Sequence, residues 1–97
     1  MLGRQLKEEK YRALETDLLR HGRSKPLCPI YEIDMDVNGA QYTLFLQPER
    51  RNRLYALYAL RSVYEWDVGA VGHELITDNL VLSALMELLI AQGLKRP

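Results

Sequence analysis

Three carboxylates stand on alternate residues of the stretch YEIDMDV, residues 31–37: Glu32, Asp34 and Asp36. In an extended chain alternate side chains point the same way, about 6.6 Å apart, so the three acids would form a row. Such a row could hold a hard divalent cation and activate water beside it, as paired acids do in metal-dependent nucleases. That chemistry also wants a lysine or histidine close by to orient the nucleophile. The residues expected to face the row are Gln41, Thr43 and Phe45, which supply neither. Without a cation, neighbouring carboxylates also raise one another's pKa. The simpler reading is that the row is the solvent side of a strand, its charges discouraging edge-to-edge aggregation. The sequence favours the simpler reading.

The remaining reactive residues are sparse. His73-Glu74 begins like the zinc-binding HExxH helix, but position 77 is Thr, so the second histidine ligand is missing. His21, His73 and Cys28 are the only histidines and cysteine, and they are too dispersed for a Cys/His zinc site. Cys28 precedes Pro29 with no base beside it, and Ser24, Ser62 and Ser83 lack the strand–turn–helix context of a nucleophilic serine. Gly69 and Gly72 form no phosphate-binding loop. No catalytic residue, metal or cofactor is therefore assigned, and the chain is expected not to be an enzyme.

Two groups suit recognition better. Tyr55, Tyr58 and Trp66, with Arg61, are residue types that dominate protein interfaces, because they bury a large area with few torsions and keep a polar tip. Arg50, Arg51 and Arg53, with Arg20, Arg23 and Lys25, could line one end of the molecule and bind an anion or a nucleic acid, the two tyrosines stacking on bases.

These residues need elements to position them. Ninety-seven residues suit one domain, and 47% apolar with 27% charged residues is ordinary globular composition. Thirteen basic and thirteen acidic side chains cancel, so no global field draws the chain to nucleic acid or an anionic membrane. One cysteine excludes an internal disulfide, the charged start MLGRQLKEEKYR is unlike a signal peptide, and the longest apolar-rich run, from Leu80 to Ala91, is 12 residues against the roughly 20 that cross a bilayer. The expected location is cytoplasmic, with no membrane association.

Residues 4–21 read as an amphipathic helix with Gly22 as its cap and Pro26 beyond it. Asn38-Gly39 between two alternating runs is a type I′ hairpin signal, joining strands 30–37 and 40–47 and pairing Val37 with Ala40, Met35 with Tyr42, Ile33 with Leu44 and Tyr31 with Leu46. Pro48 and Glu49 suit a helix start, and the spacing of Leu57, Leu60, Val63 and Tyr64 predicts a helix over 48–66 with Tyr55, Tyr58 and Trp66 on its softer side. Residues 68–77 read as an irregular or short helical connection. The last helix, 78–92, is apolar except along the line Asn79, Ser83, Glu87, and is expected to be buried nearly all round.

The expectation is thus a small single α+β domain, helix–hairpin–helix–connection–helix, with the hairpin packed on the helices. Its excess of apolar surface points to burial between chains, in a homodimer or a tight complex with another protein. The function expected is a protein–protein interaction module, an accessory regulator or inhibitor of the kind phages and mobile elements encode. A nucleic-acid-binding module is the alternative, and a carboxylate metal-dependent enzyme a more distant one.

Overall fold

Asn38 and Gly39 do turn the chain, but the hairpin they make is the centre of a larger sheet. The computed structural model describes residues 3–49, 53–64 and 71–93. Its elements are β1 (Arg4–Gln5), α1 (Glu8–Arg20), β2 (Tyr31–Val37), β3 (Ala40–Pro48), β4 (Leu54–Tyr64), β5 (Val71–Ile76) and α2 (Asn79–Ala91). The five strands form one antiparallel sheet in the order β1-β2-β3-β4-β5. At the central turn Asn38 has φ 51° and Gly39 φ 83°, the left-handed conformations this tight turn needs. The Gly39 amide donates to Asp36 Oδ1 at 3.1 Å. β2 and β3 pair in the register the turn dictates, from Val37 opposite Ala40 to Tyr31 opposite Leu46.

The expected three-helix layout is overturned. Of residues 48–66, Pro48 closes β3 and 54–64 form β4, which pairs with β3 on one side and β5 on the other. β5 takes up most of the segment read as an irregular connection. The class is still α+β, with one N-terminal and one C-terminal helix. The first helix starts four residues later than expected, at Glu8, because Arg4 and Gln5 pair with Glu32 and Tyr31 as β1.

β4 reads as helix because both sides of the sheet are covered there. Leu44 and Leu46 of β3, with Met35, Leu54 and Ala59, pack under Leu82, Leu85, Met86 and Leu89 of α2. The intervening Phe45 faces the other way, joining Leu57 and Tyr58 beneath Leu14 and Leu18 of α1, with Leu6 and Ile30. A strand buried on both faces loses the alternation of a half-buried one and reads as a continuous apolar run. In β4 the pattern is scrambled further by a bulge. Phe45 pairs with Tyr58 and Leu46 with Ala56, leaving Leu57 without a partner in β3. Leu57 and Tyr58 consequently both join the α1-side cluster, and the apolar residues flanking the bulge fall at helix-like intervals.

Arg23, a candidate anion-binding residue, is a clamp on this bulge. Its guanidinium donates from Nη1 to the Leu57 carbonyl at 3.0 Å, and from Nη2 to the Thr77 carbonyl and to Asn79 Oδ1 at 3.2 Å. One side chain therefore ties the segment after α1 to β4 and to the junction of β5 with α2. Among the described residues no helix is long and apolar enough to cross a membrane.

Candidate interaction surface

α2 begins where Asp78 accepts hydrogen bonds from the Leu80 and Val81 amides at 2.8 and 3.2 Å, a side-chain cap that satisfies two otherwise free donors. Leu82, Leu85, Met86 and Leu89 then recur at helical spacing and are all buried against the sheet. The rest of the helix was expected to be buried too. Instead, Leu80 is 83% exposed, Val81 42% and Leu88 40%, with Ala84 and Ala91 exposed between and beyond them. Glu87 is the single charged side chain in Asn79–Ala91, and it is also exposed. Most of the outward side of α2 is thus apolar, and no described element packs on it.

Grooves run along both flanks of this ridge. One, of 290 Å³, lies between Leu54, Ala56 and Met86 and carries the polar line Asn79, Ser83 and Glu87 on its rim. The other, of 380 Å³, is bounded by Val81, Tyr42, Ile76 and the pair Arg61–Glu74, whose charged atoms stand 3.9 Å apart.

The two described aromatic candidates both lie on the α1 side of the sheet, because the helix that would have presented them is a strand. Tyr58 is 4% exposed and stacked on Phe45, with ring centroids 4.4 Å apart and planes 7° from parallel. Burial pushes its phenol pKa well up. Tyr55 lies on the same face of the sheet, half-buried, its hydroxyl bonded to the buried Gln47 Oε1. Its pKa is raised by burial first, then by Glu49 and Cys28. Arg61 is on the opposite face, opposite Tyr42 and Glu74. Trp66 lies outside the described residues.

Four of the six basic candidates are among the described residues. Arg23 is the clamp described above, and Lys25 pairs with Glu15 at 3.3 Å. Arg20 is exposed in the last turn of α1, and Arg53 is exposed just before β4. Arg50 and Arg51 lie outside the described residues.

The acidic row has three separate fates. Glu32 is not on a solvent face: it is 5% exposed, its carboxylate held by Arg4 Nε at 3.2 Å and Lys10 Nζ at 3.0 Å. Asp34 accepts from Thr43 Oγ1 at 2.8 Å and from Arg4 Nη2 at 3.1 Å. Its pKa is lowered, by the Thr43 hydrogen bond first and then by Arg4, opposite to the rise that mutual repulsion alone would cause. The same two acids raise the pKa of Arg4, Asp34 contributing most. Asp36 caps the turn through the Gly39 amide. Among the described residues no group of three His, Cys, Asp or Glu side chains is placed to hold a metal ion.

Beside these acids a 430 Å³ cavity opens between α1 and the sheet, with Tyr58, Leu60 and His73 along its far wall. Its acids are already engaged by its own cations. A larger cavity, of 510 Å³, lies between the segment after α1 and the end of the β3–β4 hairpin, where Leu27 is 94% exposed and Cys28 is a free, exposed thiol. No family model, curated protein or solved structure matches the chain, so its function has to come from its own geometry.

Proposed function

We propose that the chain is a non-enzymatic interaction module, acting as an accessory regulator or adaptor by protein–protein recognition, with the outward side of α2 as its working surface. The observation carrying this reading is Leu80, 83% exposed at the head of a helix whose other exposed side chains include Val81, Ala84, Leu88 and Ala91. Removing apolar area from water is worth about 25 cal/mol per Å², so a contiguous apolar helix face is a standing drive to associate. The cytoplasm is the proposed compartment, which suits an exposed, unpaired Cys28.

The test is native size. The chain, expressed in its own cells and captured under mild conditions, should run as a stoichiometric complex well above its 11.3 kDa mass. The double substitution Leu80→Glu/Leu88→Glu should release it without lowering its melting temperature by more than a few degrees, because both side chains are outside the buried set. A wild-type chain that runs as a monomer both on capture and when purified and concentrated, or a complex that survives the double substitution, would overturn the assignment.

A further inference from the structure

We infer that the occupant of this surface is a second copy of the chain, its α2 packed antiparallel to the first about a two-fold axis. The inference rests on the reading of α2 as the interaction surface and adds the identity of the partner. Val81, Ala84, Leu88 and Ala91 are separated by three, four and three residues, the spacing of a coiled-coil seam, and all four are exposed. Along that seam the sizes alternate: large, small, large, small. Read backwards the series is small, large, small, large, which is its own complement.

Antiparallel pairing uses this. With the axis level with Met86, Val81 faces the partner's Ala91 and Ala84 faces the partner's Leu88, so each layer holds one large and one small side chain. Parallel pairing would set Leu88 on Leu88 and Ala84 on Ala84, giving alternately crowded and hollow layers. Close packing favours the antiparallel arrangement, and opposed helix dipoles add to it. A single C2 axis also closes the assembly, so the face is used once and no filament grows.

Charge separates a second copy from an unrelated partner. Residues 77–93 contain Asp78 and Glu87 but no Lys or Arg. A foreign partner chosen by charge would be basic and would depend on Glu87. In the antiparallel self-pair the two Glu87 side chains stand on the same outer edge of the seam, offset by about 3 Å along the axis, and repel, so neutralising them strengthens the pair. A 13-residue helix is about 20 Å long, too short to supply alone the roughly 800 Å² per partner of a standard interface. The flank formed by Tyr42, Ile76 and Arg61 extends the contact, and the dimer is a weak, concentration-dependent one.

Sedimentation equilibrium of the purified full chain, from about 10 µM to about 1 mM to span weak interfaces, should show the mass rising from 11.3 kDa toward twice that value. Leu88→Glu should hold it monomeric with an unchanged circular dichroism spectrum. Glu87→Gln should shift dimerisation to about twofold lower concentration, the size of a like-charge pair on a helix surface. In a Cys28→Ser background, Ala84→Cys chains should cross-link to Leu88→Cys chains faster than either does to itself. A purified chain that stays monomeric over the whole range overturns the second copy. If the complex captured from cells is nevertheless lost in Leu80→Glu/Leu88→Glu, the interaction surface stands and its occupant is another protein. Self-association that Leu88→Glu leaves intact overturns the assignment to α2, and equal cross-linking rates overturn the antiparallel geometry.

Discussion

Tyr58 shows how far a side chain's role depends on what covers it. On a helix surface it would be a recognition residue; at 4% exposure, stacked on Phe45 under α1, it is core. Burial disfavours the phenolate, so the folded-state pKa is raised while the unfolded phenol still ionises near about 10. The sign follows from linkage. Tyr58 leaves stability untouched below pH about 10, and stability falls as pH rises beyond that toward the folded-state value, because only the unfolded chain then releases the proton. The urea midpoint of the wild type should therefore drop above pH about 10. Tyr58→Phe, which keeps the stack, should flatten that fall; parallel curves would rule the explanation out. The acidic row teaches the same lesson. Its spacing was visible in the sequence, but the partners of Glu32 are Arg4 and Lys10, 28 and 22 residues away. Only the pairing of β1 with β2 and the seating of α1 bring them in, and no local pattern announces either.

At the scale of elements, legibility followed the number of covered faces. The β2–β3 turn was readable because Asn38-Gly39 and the strict alternation of β2 give one register. β2 alternates cleanly because its Asp34 and Asp36 stay exposed. β4 is apolar toward both α1 and α2, and its bulge at Leu57 shifts the phase of the alternation by one residue, so Leu54, Leu57 and Leu60 imitate a helix face. Period alone cannot separate a doubly buried strand from a buried helix. Arg23 braces the bulge through the Leu57 carbonyl. A side chain that donates to two carbonyls and an amide oxygen joins three elements that are far apart in sequence. Hydrogen bonds from a charged donor contribute about 1.5–3 kcal/mol when lost, less where solvent replaces them, and Arg23 is only partly buried. Arg23→Ala should cost about 2 kcal/mol in chemical denaturation. Arg23→Lys should recover little of it, since one ammonium lacks the fork that reaches Leu57 and Thr77 together. Full rescue by lysine would show that charge rather than geometry matters there.

The whole molecule is a sheet with a helix on each side, and its two apolar clusters meet only through the backbone of that sheet. β3 sends Leu44 and Leu46 to one cluster and Phe45 to the other, so neither helix touches the core of its opposite. This division explains why α2 can be essential to the fold on one side and unused on the other: its inner residues complete the α2-side cluster, and nothing beyond the sheet asks anything of its outer ones. It also fixes how substitutions combine. Ile30→Val trims the α1-side cluster and should cost about 0.5–1.5 kcal/mol, while Leu82→Ala empties part of the α2-side cluster and should cost about 2–5 kcal/mol. Sites that share no partner add, to within about 0.5 kcal/mol, whereas residues coupled through one packed core do not. The double variant should therefore lose the sum of the two single costs in urea unfolding, through one transition and with an unchanged slope, because both clusters rest on the same strands and are lost together. A coupling energy above about 1 kcal/mol would mean that the sheet transmits repacking from one face to the other. In that case a partner seated on α2 would be felt at Tyr58 and Glu32, on the far side of the sheet.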